Sequence, residues 1–205
     1  MSGPTVTPYP DGTELTSTAL TQSAIDTLVQ VLTCGMIGIT PPDDSLVRIS
    51  WPLEGQPFVD STDDVCFLRC VTEDEPYDKL RDRTRVVTTP SPPPAPVTYV
   101  WTYTRVWRVQ WTFYGPSSTD RARAVRSALF QDYFADQLAA SQLFPVPDPA
   151  APVRLPEQMN AQWFERVDFG ISMYEFVTET IAVPTVASVP VVIKSEDATA
   201  NIVIT

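Results

Sequence analysis

Histidine is missing altogether from this 205-residue chain. Its absence excludes Ser-His-Asp and Cys-His nucleophile systems and removes the commonest transition-metal ligand. The three cysteines, Cys34, Cys66 and Cys70, are too few for a four-ligand zinc site and cannot all pair within one chain. On one strand Cys66 and Cys70 stand about 13 Å apart, too far for a disulfide, so buried thiols are expected. Lysine is scarcer still, with only Lys79 and Lys194, and the arginines are scattered. With a formal net charge of −11, that argues against wrapping a nucleic-acid backbone, which requires clustered cations to displace counterions. A Ser-Lys dyad would place either lysine in a polar stretch, where little depresses its pKa. Neither GxGxxG nor GxxxxGK[ST] occurs, and no internal repeat is found. No apolar run approaches the roughly eighteen residues that span a bilayer. The opening MSGPTVTPYPDGTE lacks the charged and apolar regions of a signal peptide, so a soluble protein made in a cytoplasm is expected.

The acidic pairs Asp43 with Asp44, Asp63 with Asp64, and Glu73 with Glu75 are the remaining chemistry-bearing candidates. They lack EF-hand spacing and read as solvated loop charge, so no enzyme, cofactor or metal is expected.

What the chain does have is the stretch VTYVWTYTRVWRVQWTFYGP, Val97 to Pro116. Alternate residues put Tyr99, Trp101, Tyr103, Arg105, Trp107, Val109, Trp111 and Phe113 on one face, a period-two strand signature. At about 3.3 Å per residue the run reaches roughly 55 Å, beyond an ordinary strand. It is therefore either broken by a bulge near Tyr103 to Arg105 or continuous, with one end extended as a ribbon arm. Its aromatic row suits core packing or a subunit interface, and alternatively a stacking platform for sugars or bases.

Around it the order is helix, strands, helix, strands. Thr21 to Cys34 places Ile25, Leu28, Val29 and Leu32 at helical spacing, with Thr21 or Ser23 as cap and Gly35 as stop. Ser45 to Trp51 reads as a strand, 53–64 as a loop, and Val65 to Val71, apolar on both faces, as an interior strand. Residues 72–87 mix both charge signs around Tyr77 and read as a solvated hairpin tip or as an arm that pairs with a neighbouring subunit. PSPPPAP, 90–96, is a stiff polyproline connector with a PxxP pattern. Ser117 or Ser118 opens a helix over Thr119 to Ala140, with Ala122, Val125, Leu129 and Tyr133 on its packing stripe. Phe130, Phe134 and Leu138 widen that stripe, and Arg121, Arg123, Arg126 and Asp132 face outward. A second alternating run, Gln162 to Val183, places Trp163, Val167, Phe169, Ile171, Met173, Val177 and Ile181 mostly on one face. Pro184 and Pro190 confine the next segment to an edge strand, and Ile202 to Ile204 add a short strand. The fold class is α+β, a mostly antiparallel sheet with two main helices on one face and a long β-ribbon arm. Its expected organisation is an N-terminal tail (1–20), a single domain (21–193) with a charged, proline-rich insertion (73–97), and a C-terminal extension (194–205).

Two blocks, Tyr103 to Tyr133 and Leu155 to Ile193, resemble tailed-phage neck and tail terminator (tail completion) proteins. The resemblance lies in a strand ending FYGP (Phe113 to Pro116), a helix opened at Ser118 to Asp120, a Q-W-x-E-R-x-D strand and a VPxVxSV ending. In this sequence the last two run from Gln162 to Asp168, there with Phe164 between Trp163 and Glu165, and from Val183 to Val189. The match covers about half the chain; PSPPPAP and the acidic C-terminal extension depart from the pattern. It implies a non-enzymatic virion protein, assembled in the host cytoplasm, forming a ring of six copies at the head-proximal end of the tail tube. Such a ring stops tube growth and joins the tail to the head connector or stopper, with the tail sheath as a further neighbour. DNA passes through the lumen without specific binding, and an acidic wall repels its phosphates. The residues expected at subunit or tube interfaces are Tyr77, Arg81, Arg83, Arg85, Arg105, Trp107, Trp163, Glu165 and Arg166. Other tail, head-completion or baseplate roles, and an aromatic-platform carbohydrate-binding module, are the alternatives.

Overall fold

A computed structural model describes residues 5–6, 15–43, 45–49, 60–87, 97–159, 161–183, 189–194 and 199–204. In chain order its elements begin with β1 (Thr5–Val6), β2 (Leu15–Ser17), α1 (Gln22–Met36), β3 (Val47–Ile49), β4 (Val65–Glu73), α2 (Pro76–Lys79), β5 (Asp82–Val87) and β6 (Val97–Tyr114). There follow α3 (Ser118–Ala128), α4 (Asp132–Ala139), β7 (Leu143–Pro145), β8 (Val153–Arg154), β9 (Glu157–Met159), β10 (Gln162–Phe164), β11 (Arg166–Val183), β12 (Val189–Lys194) and β13 (Thr199–Ile204). The chain divides into a larger unit, 19–80 with 103–177, and a smaller one, 1–18 with 81–102 and 178–205. The fold is α+β, as expected.

In the larger unit β4 lies between β3 and β6. It runs antiparallel to β6, from Val65 opposite Tyr114 to Glu73 opposite Val106. Its pairing with β3 is parallel, the exception in a mostly antiparallel sheet. A parallel neighbour needs a long crossover, and the connection 50–64 supplies the length. β11 lies beside β6 and takes β7 and β8 on its other edge, both antiparallel. Odd residues of β6 and β11 and even residues of β4 face the core. There Trp107, Trp111, Phe113, Leu68, Val167, Phe169, Ile171 and Met173 meet Ile25, Val29 and Leu32 of α1 and Ala122 and Val125 of α3. Trp111 stacks on Phe169 at 5.3 Å between ring centroids, and its indole N–H donates to Thr33 Oγ1 at 2.9 Å. The three cysteines are buried and form no disulfide, as expected.

Thr21 caps α1 by accepting from the Ala24 N–H at 3.2 Å. The helix continues past Gly35 to Met36 rather than stopping there. The expected single helix over 119–140 is two, separated by a turn at 129–131. The turn re-aims α4, so that Phe134 and Leu138 are buried while Tyr133 (66% exposed) and Phe130 (59%) leave the packing stripe. The cap of α3 is also different. Ser117 makes no side-chain capping bond; Asp64, ahead of β4, accepts the Ser117 N–H at 2.8 Å and pairs with Arg121 at 3.4 Å. Arg121 is therefore drawn inward and half-buried rather than outward. Gly115, at φ 100°, makes this approach possible, since a Cβ there would lie 2.6 Å from Asp64 Oδ1.

The second alternating run is interrupted at Glu165. β10 pairs with β9 in a separate hairpin, so parity does not carry across, and Trp163 is 64% exposed instead of sharing the buried face of Val167.

In the smaller unit β5 pairs with the first third of β6, from Asp82 opposite Thr102 to Val87 opposite Val97. β6 is thus one uninterrupted strand that exchanges β4 for β5 as neighbour. The charged stretch is one turn of helix, α2, followed by β5 rather than a bare hairpin tip. β2, within the segment expected as a tail, pairs with Glu179 to Ile181 of β11, and β1 pairs with β2. β12 and β13 form their own two-stranded sheet, consistent with an edge role for the Pro190 segment and a strand at Ile202 to Ile204. The PSPPPAP connector, Ser50, Trp51, most of the 53–64 loop and 184–188 lie outside the described residues. No helix among the described residues is long and apolar enough to cross a membrane.

Candidate docking surface

Two concavities of the larger unit flank the segment 150–154. The first, of about 490 Å³, opens on the sheet face turned away from α1 and α3. Strand alternation brings Phe67 and Arg69 of β4, Arg108 and Gln110 of β6, and Asp168 and Gly170 of β11 together there. Gly170 keeps the floor low: a Cβ would come within 3.2 Å of Val109 O and 3.5 Å of Arg108 Nη2. Arg108 lies toward Ser172 Oγ (3.4 Å), whose hydroxyl donates to Glu73 Oε2 at 3.2 Å. Arg69 is exposed and has no ion pair or hydrogen bond among the described residues.

Arg166 closes one end. It grips Asp168 with two bonds, Nε to Oδ1 at 2.9 Å and Nη2 to Oδ2 at 2.7 Å, and reaches Glu157 Oε2 at 3.1 Å. The Tyr114 hydroxyl donates to the same Glu157 oxygen at 2.8 Å. Burial, helped by that bond, pushes the Tyr114 pKa up to about 12. The hydrogen bonds that Arg166 donates to Asp168 raise its already high pKa. Two carboxylates meet Arg166 and Glu73 stands one hydroxyl away from Arg108, which leaves Arg69 as the cation of this face with no carboxylate partner among the described residues.

The second concavity, about 430 Å³, lies between α3 and β8. Arg123, Arg126, Arg154 and Phe130 line it, with Pro152 at its wall. Arg126 donates from Nε and Nη2 to Pro149 O, both at 3.3 Å, with its guanidinium 5.9 Å from the Phe130 ring. Arg154 pairs with Glu165. Arg123 is exposed and unpaired among the described residues. Six of the twelve arginines (14 basic residues less two lysines) thus line two hollows on either side of one segment of an acidic chain. Val153 and Leu155 add exposed apolar area in and beside that segment.

The residues expected at interfaces occupy three settings. Tyr77 on α2 is 55% exposed, its ring 6.2 Å from that of Tyr174. Trp163 is exposed, and Glu165 and Arg166 take part in the contacts above. In the smaller unit Arg81 pairs with Glu179 at 3.2 Å, Arg83 lies over the Tyr99 ring at 4.1 Å, and Arg85 is exposed. Arg105 and Trp107 instead serve the interior. Fully buried Glu175 accepts the Leu20 N–H through Oε1 (2.6 Å), and Arg105 Nε (2.7 Å) and the Trp107 indole N–H (2.6 Å) through Oε2. Arg105 Nη2 also donates to Leu20 O at 2.6 Å. Arg105 and Glu175 pin residue 20 to β6 and β11, and Trp107 joins them through Glu175.

Sequence reading missed Arg69, Arg108, Arg123, Arg126 and Arg154 as surface determinants, and Glu175 as the hub. Glu175 did leave a signal, since it is an acid at a core-facing position of β11. No group of three or more acids and cysteines spaced for a metal occurs among the described residues. Burial pushes the Cys66 and Cys70 thiols up and away from the reactive thiolate.

A family model described as phage neck terminator protein matches residues 23–197. No curated protein matches the chain.

Proposed function

The chain belongs to the phage neck terminator family and is a structural protein of the phage neck, and from that we propose that it forms a ring, of six copies, at the head-proximal end of the tail tube. The ring ends tube polymerisation and presents its other face to the head connector, with DNA passing through the lumen unbound. Assembly takes place in the host cytoplasm. The observation that carries this reading is the segregation of charge: a chain of net charge −11 keeps half its arginines on two apolar-floored hollows. Arginine beside aliphatic and aromatic side chains is the composition of a protein interface, where the guanidinium plane packs and hydrogen bonds together. The remaining acidic surface suits a wall past which a polyanion slides.

The test is a phage carrying an early stop codon in this gene. Lysates should contain filled heads and separate tails of abnormal length, and purified protein added to the lysate should restore infectivity and appear in electron micrographs at the head-proximal tail end. Joined, infectious particles in the absence of the protein would overturn the reading.

A further inference from the structure

Resting on the ring reading, we propose the contact that closes it: the acidic turn Asp74 to Leu80 of one copy seats in the arginine groove between α3 and β8 of the next. The turn is built to enter something. Pro76 and the single turn of α2 raise Tyr77 and Leu80 outward, both largely exposed, and Asp74, Glu75 and Asp78 surround them. Lys79 is the one cation in the turn and is paired with Asp74 at 2.8 Å. The groove offers the complement, with exposed Arg123 unpaired and Phe130 presenting an open ring. Its volume, about 430 Å³, is in the range of hollows that accept a small ligand or side chain.

Topology selects this groove over the larger hollow. Tyr77 packs against Tyr174, and Glu73 at the base of the turn accepts from Ser172; both partners are even-numbered on β11, the face away from the helices. The larger hollow opens on that same face, so seating the turn there would pair like faces and give a twofold dimer. The α3 groove reaches Val167, an odd, core-facing position, and so belongs to the helix side. A donor on one face and a receptor on the other cannot satisfy each other around a twofold axis. They join head to tail, and a head-to-tail contact closes into a ring when its rotation permits.

The test uses three variants of the full chain: Tyr77→Ser with Asp78→Ser (donor lost), Arg123→Glu (receptor lost), and Asp78→Arg with Arg123→Glu (charges exchanged). All positions are on the surface, and circular dichroism checks the fold. Analytical ultracentrifugation, free and in the presence of isolated tails, reads assembly. Each of the first two should weaken self-association by about tenfold or more. Their equimolar mixture should stop at dimers, because one competent donor then meets one competent receptor and neither end can extend. The exchanged variant should regain rings. Wild-type rings with variants that assemble equally well, or a mixture that forms full rings, would overturn this contact and leave the ring reading standing. Wild-type protein that stays monomeric both free and on tails would overturn both.

Discussion

Replacing Glu175 by Ala removes the acceptor for the Leu20 N–H, Arg105 and the Trp107 indole at one stroke. Arg105, whose side chain is 19% exposed, is then left without its counter-charge 2.6 Å away. Removing one member of a buried ion pair costs about 3–5 kcal/mol, because the survivor keeps its desolvation penalty. An orphaned indole or amide N–H costs about 1–3 kcal/mol, but these losses share one hub and do not simply add. The expected loss is therefore about 3–5 kcal/mol, a large part of the whole stability of a domain. Urea denaturation followed by tryptophan fluorescence measures it, since Trp107 and Trp111 are core residues. Glu175→Leu combined with Arg105→Met removes both charges and should recover most of the loss, leaving chiefly the unpaired indole and Leu20 N–H. A loss below about 1 kcal/mol for Glu175→Ala, or a double variant as unstable as the single, would refute the hub as a charge-paired structure.

Gly115→Ala should destabilise the protein by more than about 2 kcal/mol, because the residue adopts φ 100° and a Cβ would press on Asp64; a midpoint shift no larger than a surface control would refute this. Leu129→Ala should cost roughly 2–5 kcal/mol, while Tyr133→Ala on the other side of the helix break should cost little, and equal losses in the same denaturation assay would argue for an unbroken helix. Tyr114, with a pKa raised to about 12 in the fold, stabilises fully below about pH 10, its unfolded value, and loses that contribution as pH rises through about 12. Tyrosinate absorbance should show a late step that Tyr114→Phe abolishes, and an unchanged titration would contradict the Glu157 hydrogen bond.

The parts of the fold that were legible are those in which one local rule acts without interruption. Strict period two in β6 and in β11 after Glu165, and the Thr21 cap with apolar i, i+3, i+4 spacing in α1, each survive because no tertiary contact opposes them. Where a short break intervenes, periodicity keeps its pattern and loses its direction. The turn at 129–131 rotates Tyr133 out, and the break at Glu165 reverses parity for Trp163, with no change in the apolar count. The α3 cap was hidden for a different reason: its acceptor, Asp64, lies 53 residues before the N–H it satisfies, so no local motif contains both. The arginine surface was hidden likewise. Val71 opposite Arg108 and Arg154 opposite Val167 are register facts, and register joins positions that composition reads as scattered.

The aromatic row of β6 shows how one uniform sequence pattern divides between two tasks. From Tyr103 to Phe113 its odd-numbered side chains other than Arg105 are buried, and Trp107, Trp111 and Phe113 share one core with α1 and α3, so they cannot serve as a platform for sugars or bases. The exception, Arg105, is tied to Glu175, and the cost of its charge inside the sheet is offset by that pair and by the Trp107 ring 4.7 Å away. At Tyr99 and Trp101, in the smaller unit, both rings are half-buried, with the Arg83 guanidinium over Tyr99. Arginine on an aromatic face shields apolar area while keeping its charge available to an acidic partner. The same pairing recurs at Arg126 and Phe130 beside the α3 groove. In a chain with so few cations, placing two of them over aromatic rings shields apolar area without giving up the charge.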